Sequence, residues 1–153
     1  MRSILRRYRK ESESCLIQGL KTKLIVVNSP QNPTGGVFTK ETLEGIARLA
    51  VKYDLWVLSD EIYDKIIYEG EHVSITSFPG MPERTVILNG CSKAYAMTGW
   101  RLGWAVTKNR EMAQYLEQLA TNDVSCTAAM IQHAGMEALT GPQDAVKMMK
   151  KEY

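Results

Sequence analysis

The sequence is poor in the residues from which metal and disulfide sites are built: 153 residues hold three cysteines and two histidines. Cys15, Cys91 and Cys126 are odd in number and show no Cys-x-x-Cys spacing. That excludes a disulfide framework or a zinc site as the first reading and favours reduced thiols in a cytoplasmic protein. His72 and His133 lie far apart and belong to no ligand pattern, so they read as ordinary surface or core histidines. No apolar run is long enough for a membrane span. Neither sign of charge dominates: 19 basic against 17 acidic residues leave +2, which points to no nucleic-acid or membrane partner. Repeats and low-complexity linkers are also missing, so the chain reads as one unit, long enough to bury a core.

The start is basic, with Arg2, Arg6, Arg7, Arg9 and Lys10 before Glu11 and Glu13, and lacks the apolar centre of a secretory signal. Ile4, Leu5 and Tyr8 could share one helical face, and a solvated helix is the expectation. From Thr22 the organisation becomes legible. Lys23–Val27 is a continuous apolar run, the mark of a strand buried on both faces. Pro30, Pro33, Gly35 and Gly36 then impose a loop. Thr39 is placed to cap a helix to about Tyr53, with Leu43, Ile46, Ala47, Ala50 and Tyr53 as its buried stripe.

Asp54–Ser59 is the next strand, and a strand–helix–strand unit with short connections predicts parallel pairing. Residues 62–67 read as a short helical turn, and 68–83 as loop-rich. Thr85–Leu88 is a third strand. Arg101–Thr107 is a fourth, reached too quickly for a helical return and therefore antiparallel. Asn109 should cap a helix to about Leu119, with Met112, Tyr115, Leu116 and Leu119 on one side. A second helix is expected over about 127–139, ended by Thr140-Gly-Pro142, and a third from Gln143.

Asn32, Asp60 and Lys93 each fall just past the carboxyl end of an expected parallel strand, the edge where open α/β sheets bind ligands. Lys93 can anchor phosphate as a point charge or act as an amine nucleophile, and Arg101, eight residues on, offers a fork of donors for a phosphate. Together they suit a phosphorylated aldehyde held as a Schiff base. Tyr63 follows Asp60 by three residues, on the same side of a turn. Taken singly, Asp60 could simply cap that turn, Tyr63 could pack in the core, and Asn32-Pro33 is a turn signal.

As a set, Ser92-Lys93, Met97-Thr-Gly-Trp-Arg-Leu-Gly103, Asp60-Glu-Ile-Tyr63 and Asn32-Pro-Thr-Gly35 resemble the signature of class I aminotransferases, pyridoxal-phosphate enzymes of fold type I. The likeness runs from about Thr22 to the end and is nearest the aspartate and aromatic branch. It implies a partial, mostly parallel doubly wound sheet with flanking helices. Residues 22–153 would be part of the large cofactor domain, the small domain would be absent, and 1–21 match poorly. It further implies that Lys93 holds pyridoxal 5'-phosphate, Arg101 its phosphate, Asp60 the ring nitrogen, and Tyr63 and Asn32 the ring oxygen. The implied reaction is amino-group exchange between an amino acid and a 2-oxo acid, in an enzyme that is a homodimer at full length. The chain departs from the family in length, less than half, and in Gly90, where one branch has a phosphate-binding serine. A non-catalytic fragment with weak cofactor binding, or a lyase of the same fold, are the alternatives.

Overall fold

The computed structural model describes residues 22–152. The readings for 1–21, including the basic stretch, the Ile4–Leu5–Tyr8 face and Cys15, lie outside the described residues. Four strands, β1 (Leu24–Asn28), β2 (Trp56–Asp60), β3 (Thr85–Gly90) and β4 (Gly103–Val106), form one sheet in sequential order. The first three run parallel and β4 is antiparallel to β3, as the short return predicted. Helices α1 (Lys40–Lys52), α2 (Arg110–Asp123), α3 (Ala129–Thr140) and α4 (Asp144–Glu152) complete the described chain.

The Thr39 side chain accepts from the Thr42 N–H and starts α1; Asn109 does the same for α2 through Met112. Leu43, Ile46, Ala47 and Ala50 of α1 are buried against Ile25 and Val27 of β1, Val57 of β2, and Ile75, Phe78 and Met81 from the connection to β3. Burying each larger aliphatic side chain there contributes about 1.5–3 kcal/mol. This one-sided packing fixes where the strand ends project.

Two expectations fail on the other side. Leu24 and Val26 of β1 are 47% and 55% exposed, so this strand is covered on one face only. A continuous apolar run records that both faces suit burial, not that a second layer lies over both. The α2 stripe is likewise not a core: Met112 and Leu116 are half-buried, while Tyr115 and Leu119 are exposed. The helix also runs four residues past the expected Leu119. Residues 62–65 form hydrogen-bonded turns instead of a helix, through Asp64 N–H to the Glu61 carbonyl and Ile66 N–H to Tyr63.

Candidate active site

The parallel register puts Asn28, Asp60 and Leu88 level at the carboxyl edge of β1, β2 and β3. Three connections leave from that line. After β1, the Asn28 side chain accepts from the Asn32 N–H at 3.0 Å, turning the loop back over its own strand. Gly35, at φ 70°, donates to the Gln31 carbonyl, and the Gln31 N–H returns a bond to Gly36. Gly35 thus supplies the left-handed backbone that a tight turn needs. Asn32 is exposed at the loop tip.

Asp60 is the last residue of β2 and is half-buried. Its carboxylate accepts from the Ile62 N–H at 3.3 Å, so it does cap the following turn as one reading allowed. A carboxylate has room for about four such bonds, and the remaining capacity is unspent. The turn carries Tyr63 to the mouth of a cavity of about 610 Å³, which Asn32, Pro33, Val37, Ile67 and Tyr68 also line. That volume is in the range of small-molecule sites, but Asp60, Lys93 and Arg101 are not among its lining residues.

The Lys93 ammonium sits 5.6 Å from the centre of the Tyr63 ring, within range of a cation–π attraction. Its segment is a tight excursion between β3 and β4. The Cys91 N–H donates to the Leu102 carbonyl at 3.0 Å, closing its base, and Met97 donates back to Cys91. Ala96 and Arg101, both at φ 53°, take the left-handed conformation that side chains disfavour. Strain of this kind concentrates at functional sites. Arg101 is exposed, with one guanidinium nitrogen on the Thr98 carbonyl at 3.1 Å. Among the described residues no contact joins Arg101 to the other four; Tyr63 is the hub, touching Lys93 and sharing the cavity with Asn32.

The family model for class I and II aminotransferases matches residues 1–153. The chain belongs to this family. It is 44% identical over 138 residues to the aspartate/prephenate aminotransferase of Thermus thermophilus, covering 87% of this chain and 34% of that one. It is 41% identical over 133 residues to the arginine–pyruvate transaminase of Pseudomonas aeruginosa, with the same coverage. Among solved structures, the aromatic aminotransferase of Pyrococcus horikoshii superposes with a TM-score of 0.81 at 43% identity, over 86% of this chain and 36% of that one. The chain therefore spans about a third of the length of the relatives it matches.

For an aminotransferase segment, Gly90 is the informative departure. A Cβ there would stand 2.8 Å from the Leu102 carbonyl oxygen and 3.0 Å from the Gly103 Cα. Backbone fills the place, so no side chain at 90 can reach a phosphate in this arrangement. At Gly135 of α3 a Cβ would fall 2.2 Å from Leu102 Cδ2, so a larger residue there would require the Leu102 side chain to turn aside. Helix α3 thereby packs directly on the arm that follows Arg101.

One group of residues escaped the sequence reading. Glu61 is buried, and its carboxylate takes bonds from Ser59 at 2.9 Å, Ser74 at 2.8 Å and His72 at 2.7 Å. His72 is therefore not an ordinary histidine. The bond to Glu61 raises its pKa above the usual value; the charges of Glu61 and Asp64 add to this, and burial opposes it. The available signal was Ser59 and Glu61 at alternate positions of a strand, two polar groups on a face meant for the core. Among the described residues no cluster could hold a metal ion, and no helix is long and apolar enough to cross a membrane.

Proposed function

We propose that this chain carries the cofactor-holding part of a pyridoxal-phosphate-dependent transaminase site, with Lys93 as the cofactor-bearing and proton-moving amine. The observation that carries the reading is the Lys93 ammonium over the Tyr63 ring, at the strand edge that Asp60 ends. The residues present fit the group. A phosphorylated pyridine aldehyde needs an amine, an anion for its ring nitrogen, donors for its ring oxygen and a cation for its phosphate. Lys93, Asp60, Tyr63 with Asn32, and Arg101 supply these in turn. None of the charged ones is paired with an opposite charge among the described residues.

When bound, pyridoxal phosphate supplies an electron-withdrawing ring that stabilises negative charge on a substrate's Cα. Asp60 would hold a proton on the ring nitrogen through a charge-assisted hydrogen bond, roughly twice as strong as a neutral one. Tyr63 and Asn32 orient the ring by donating to its oxygen. Arg101 has donors left over from its bond to Thr98 for the phosphate. Lys93 Nζ would be the amine that holds the cofactor's aldehyde and, once released from it, the base that moves a proton from the substrate Cα.

The substrates are an amino acid and a 2-oxo acid, and the turnover belongs to a complete homodimeric enzyme. Relatives of similar identity over this stretch carry the names of different substrates, so its residues serve the chemistry they share, and selection lies elsewhere. A second reading, cofactor binding without turnover, is favoured for this chain alone by the exposure of Lys93 and Arg101.

Borohydride reduction of the chain with pyridoxal phosphate, read by mass, tests the proposal. A stoichiometric adduct that is lost in Lys93→Ala is expected. No adduct, or equal labelling of the variant, would refute it. Amino-group transfer on adding amino and oxo acids then separates the two readings.

A further inference from the structure

We infer that Glu61 and His72 form a clasp that positions Asp60 and Tyr63, so that cofactor affinity rests on a carboxylate–imidazole pair behind the site. The inference rests on the cofactor roles proposed above for Asp60 and Tyr63.

Asp60 ends β2, and Glu61, the next residue, still donates to the Leu88 carbonyl of β3, so the strand's alternation carries the two side chains to opposite faces. Ser59 and Glu61 are buried and bonded to each other, while Asp60 stays half-buried at the site edge. Residues 62–71 form a loop between Glu61 and His72 that carries Tyr63 and the cavity wall Ile67–Tyr68. The 2.7 Å bond from His72 Nε2 to Glu61 Oε2 joins the two ends of that loop. Each end is in turn tied to something rigid. The Glu61 N–H donates to the Leu88 carbonyl of β3. Ser74 donates to Glu61 Oε1 and caps the 3-10 turn Ile75–Ser77, whose Ile75 is in the core.

A buried carboxylate is tolerated when its lone pairs are met, and here three donors meet them. Removing one partner leaves the charge short of a donor, and the least costly relief is for the loop end to move toward water. That motion displaces Tyr63, one residue beyond the Ile62 amide that Asp60 binds. The charged groups that bear on His72 are Glu61 at the end of β2 and Asp64 in the loop, both acidic, so the protonated imidazole is the clasping form. Loss of that proton removes the ion pair and weakens the clasp to a hydrogen bond from a neutral imidazole N–H to the carboxylate.

The experiment measures the Kd for pyridoxal 5'-phosphate by absorbance at pH 6.5 and 9, and the amide exchange of residues 62–71, in wild type, His72→Gln and Ser74→Ala. Circular dichroism checks that each is folded. A merely structural role would leave the affinity of a folded variant unchanged. Expected are a Kd about tenfold weaker in His72→Gln at pH 6.5, a narrower gap at pH 9, and about tenfold faster loop exchange while β1–β3 stay protected. A Kd within twofold of wild type at both pH values overturns the clasp. Should His72→Gln fail to fold, the same comparison in Ser74→Ala decides. If wild type forms no adduct the transaminase reading fails, and loop exchange alone decides: faster in the variants upholds the clasp, unchanged removes it.

Discussion

Gly90→Ala isolates the fit between the lysine loop and β4. The added Cβ would meet the Leu102 carbonyl oxygen at 2.8 Å and the Gly103 Cα at 3.0 Å. Carbon–oxygen contacts between strands ordinarily lie at about 3.3–3.6 Å, so roughly half an ångström of relief is needed. Both obstacles are backbone and cannot rotate away. The start of β4 must shift, and with it the carbonyl that the Cys91 N–H binds. Overpacking costs about 1–3 kcal/mol and a weakened buried hydrogen bond about 0.5–1.5, for a loss of about 2–4 kcal/mol. In a chain of this size that lowers the melting temperature by roughly 5–15 °C. Urea unfolding followed by tryptophan fluorescence measures it, with Trp104 of β4 close to the change. Gly99→Ala in the same loop is the control, since a Cβ there meets nothing within 4 Å. Equal midpoints for the two variants, both within 0.5 kcal/mol of wild type, would refute the close-approach argument.

Other consequences follow from single observations. The Thr85 hydroxyl is buried without a partner among the described residues, so Thr85→Val should raise the unfolding free energy measured in urea by about 1–2 kcal/mol; a loss of stability would show that the hydroxyl is satisfied. Because the folded pKa of His72 is raised, its stabilising contribution is complete below the unfolded value near 6.5 and is lost as pH rises through the folded value. Urea midpoints measured from pH 5.5 to 9 should therefore fall more steeply with pH in wild type than in His72→Gln; parallel curves would count against the pairing. The edge of β1, unpaired among the described residues, and its exposed face should promote self-association, and Val26→Lys should reduce it in concentration-dependent size-exclusion runs while leaving the unfolding free energy unchanged within about 0.5 kcal/mol.

Much of this architecture was legible because its signals are local. Thr39 and Asn109 cap the helices they were expected to cap, and the short return before β4 is antiparallel as a crossing of that length requires. Lys93, Asp60 and Asn32 could be grouped because parallel strands deliver their carboxyl ends to one edge. What could not be read depends on the presence of a neighbour. Leu24 and Val26 have the character of buried residues and no covering layer among the described ones. The stripe of α2 fails for the same reason. Glu61 and His72 meet across the irregular loop of residues 62–71, where neither periodicity of strand nor of helix carries information. Arg101 was chosen by its spacing from Lys93, but no contact among the described residues joins it to the other candidates, and its left-handed backbone was invisible in a residue type that rarely adopts it.

Asp60 and Glu61 show how one dipeptide can divide binding from support. Both are carboxylates where one strand ends, Asp60 as its last residue and Glu61 as the next, and composition makes them equivalent. Alternation gives them different surroundings. Glu61 receives three side-chain donors and has little capacity left for a ligand. Asp60 receives one backbone donor at 3.3 Å and keeps most of its lone pairs. A negative charge is useful to a positively charged ring only where it is unspent, so under the proposed function the ligand-facing role would fall to Asp60. Glu61 cannot exchange roles with it, because its oxygens are already occupied in holding the far end of the loop on which Tyr63 sits. The binding side of the strand can then stay under-bonded and open, since the order that an under-bonded edge would lack is provided from the buried side.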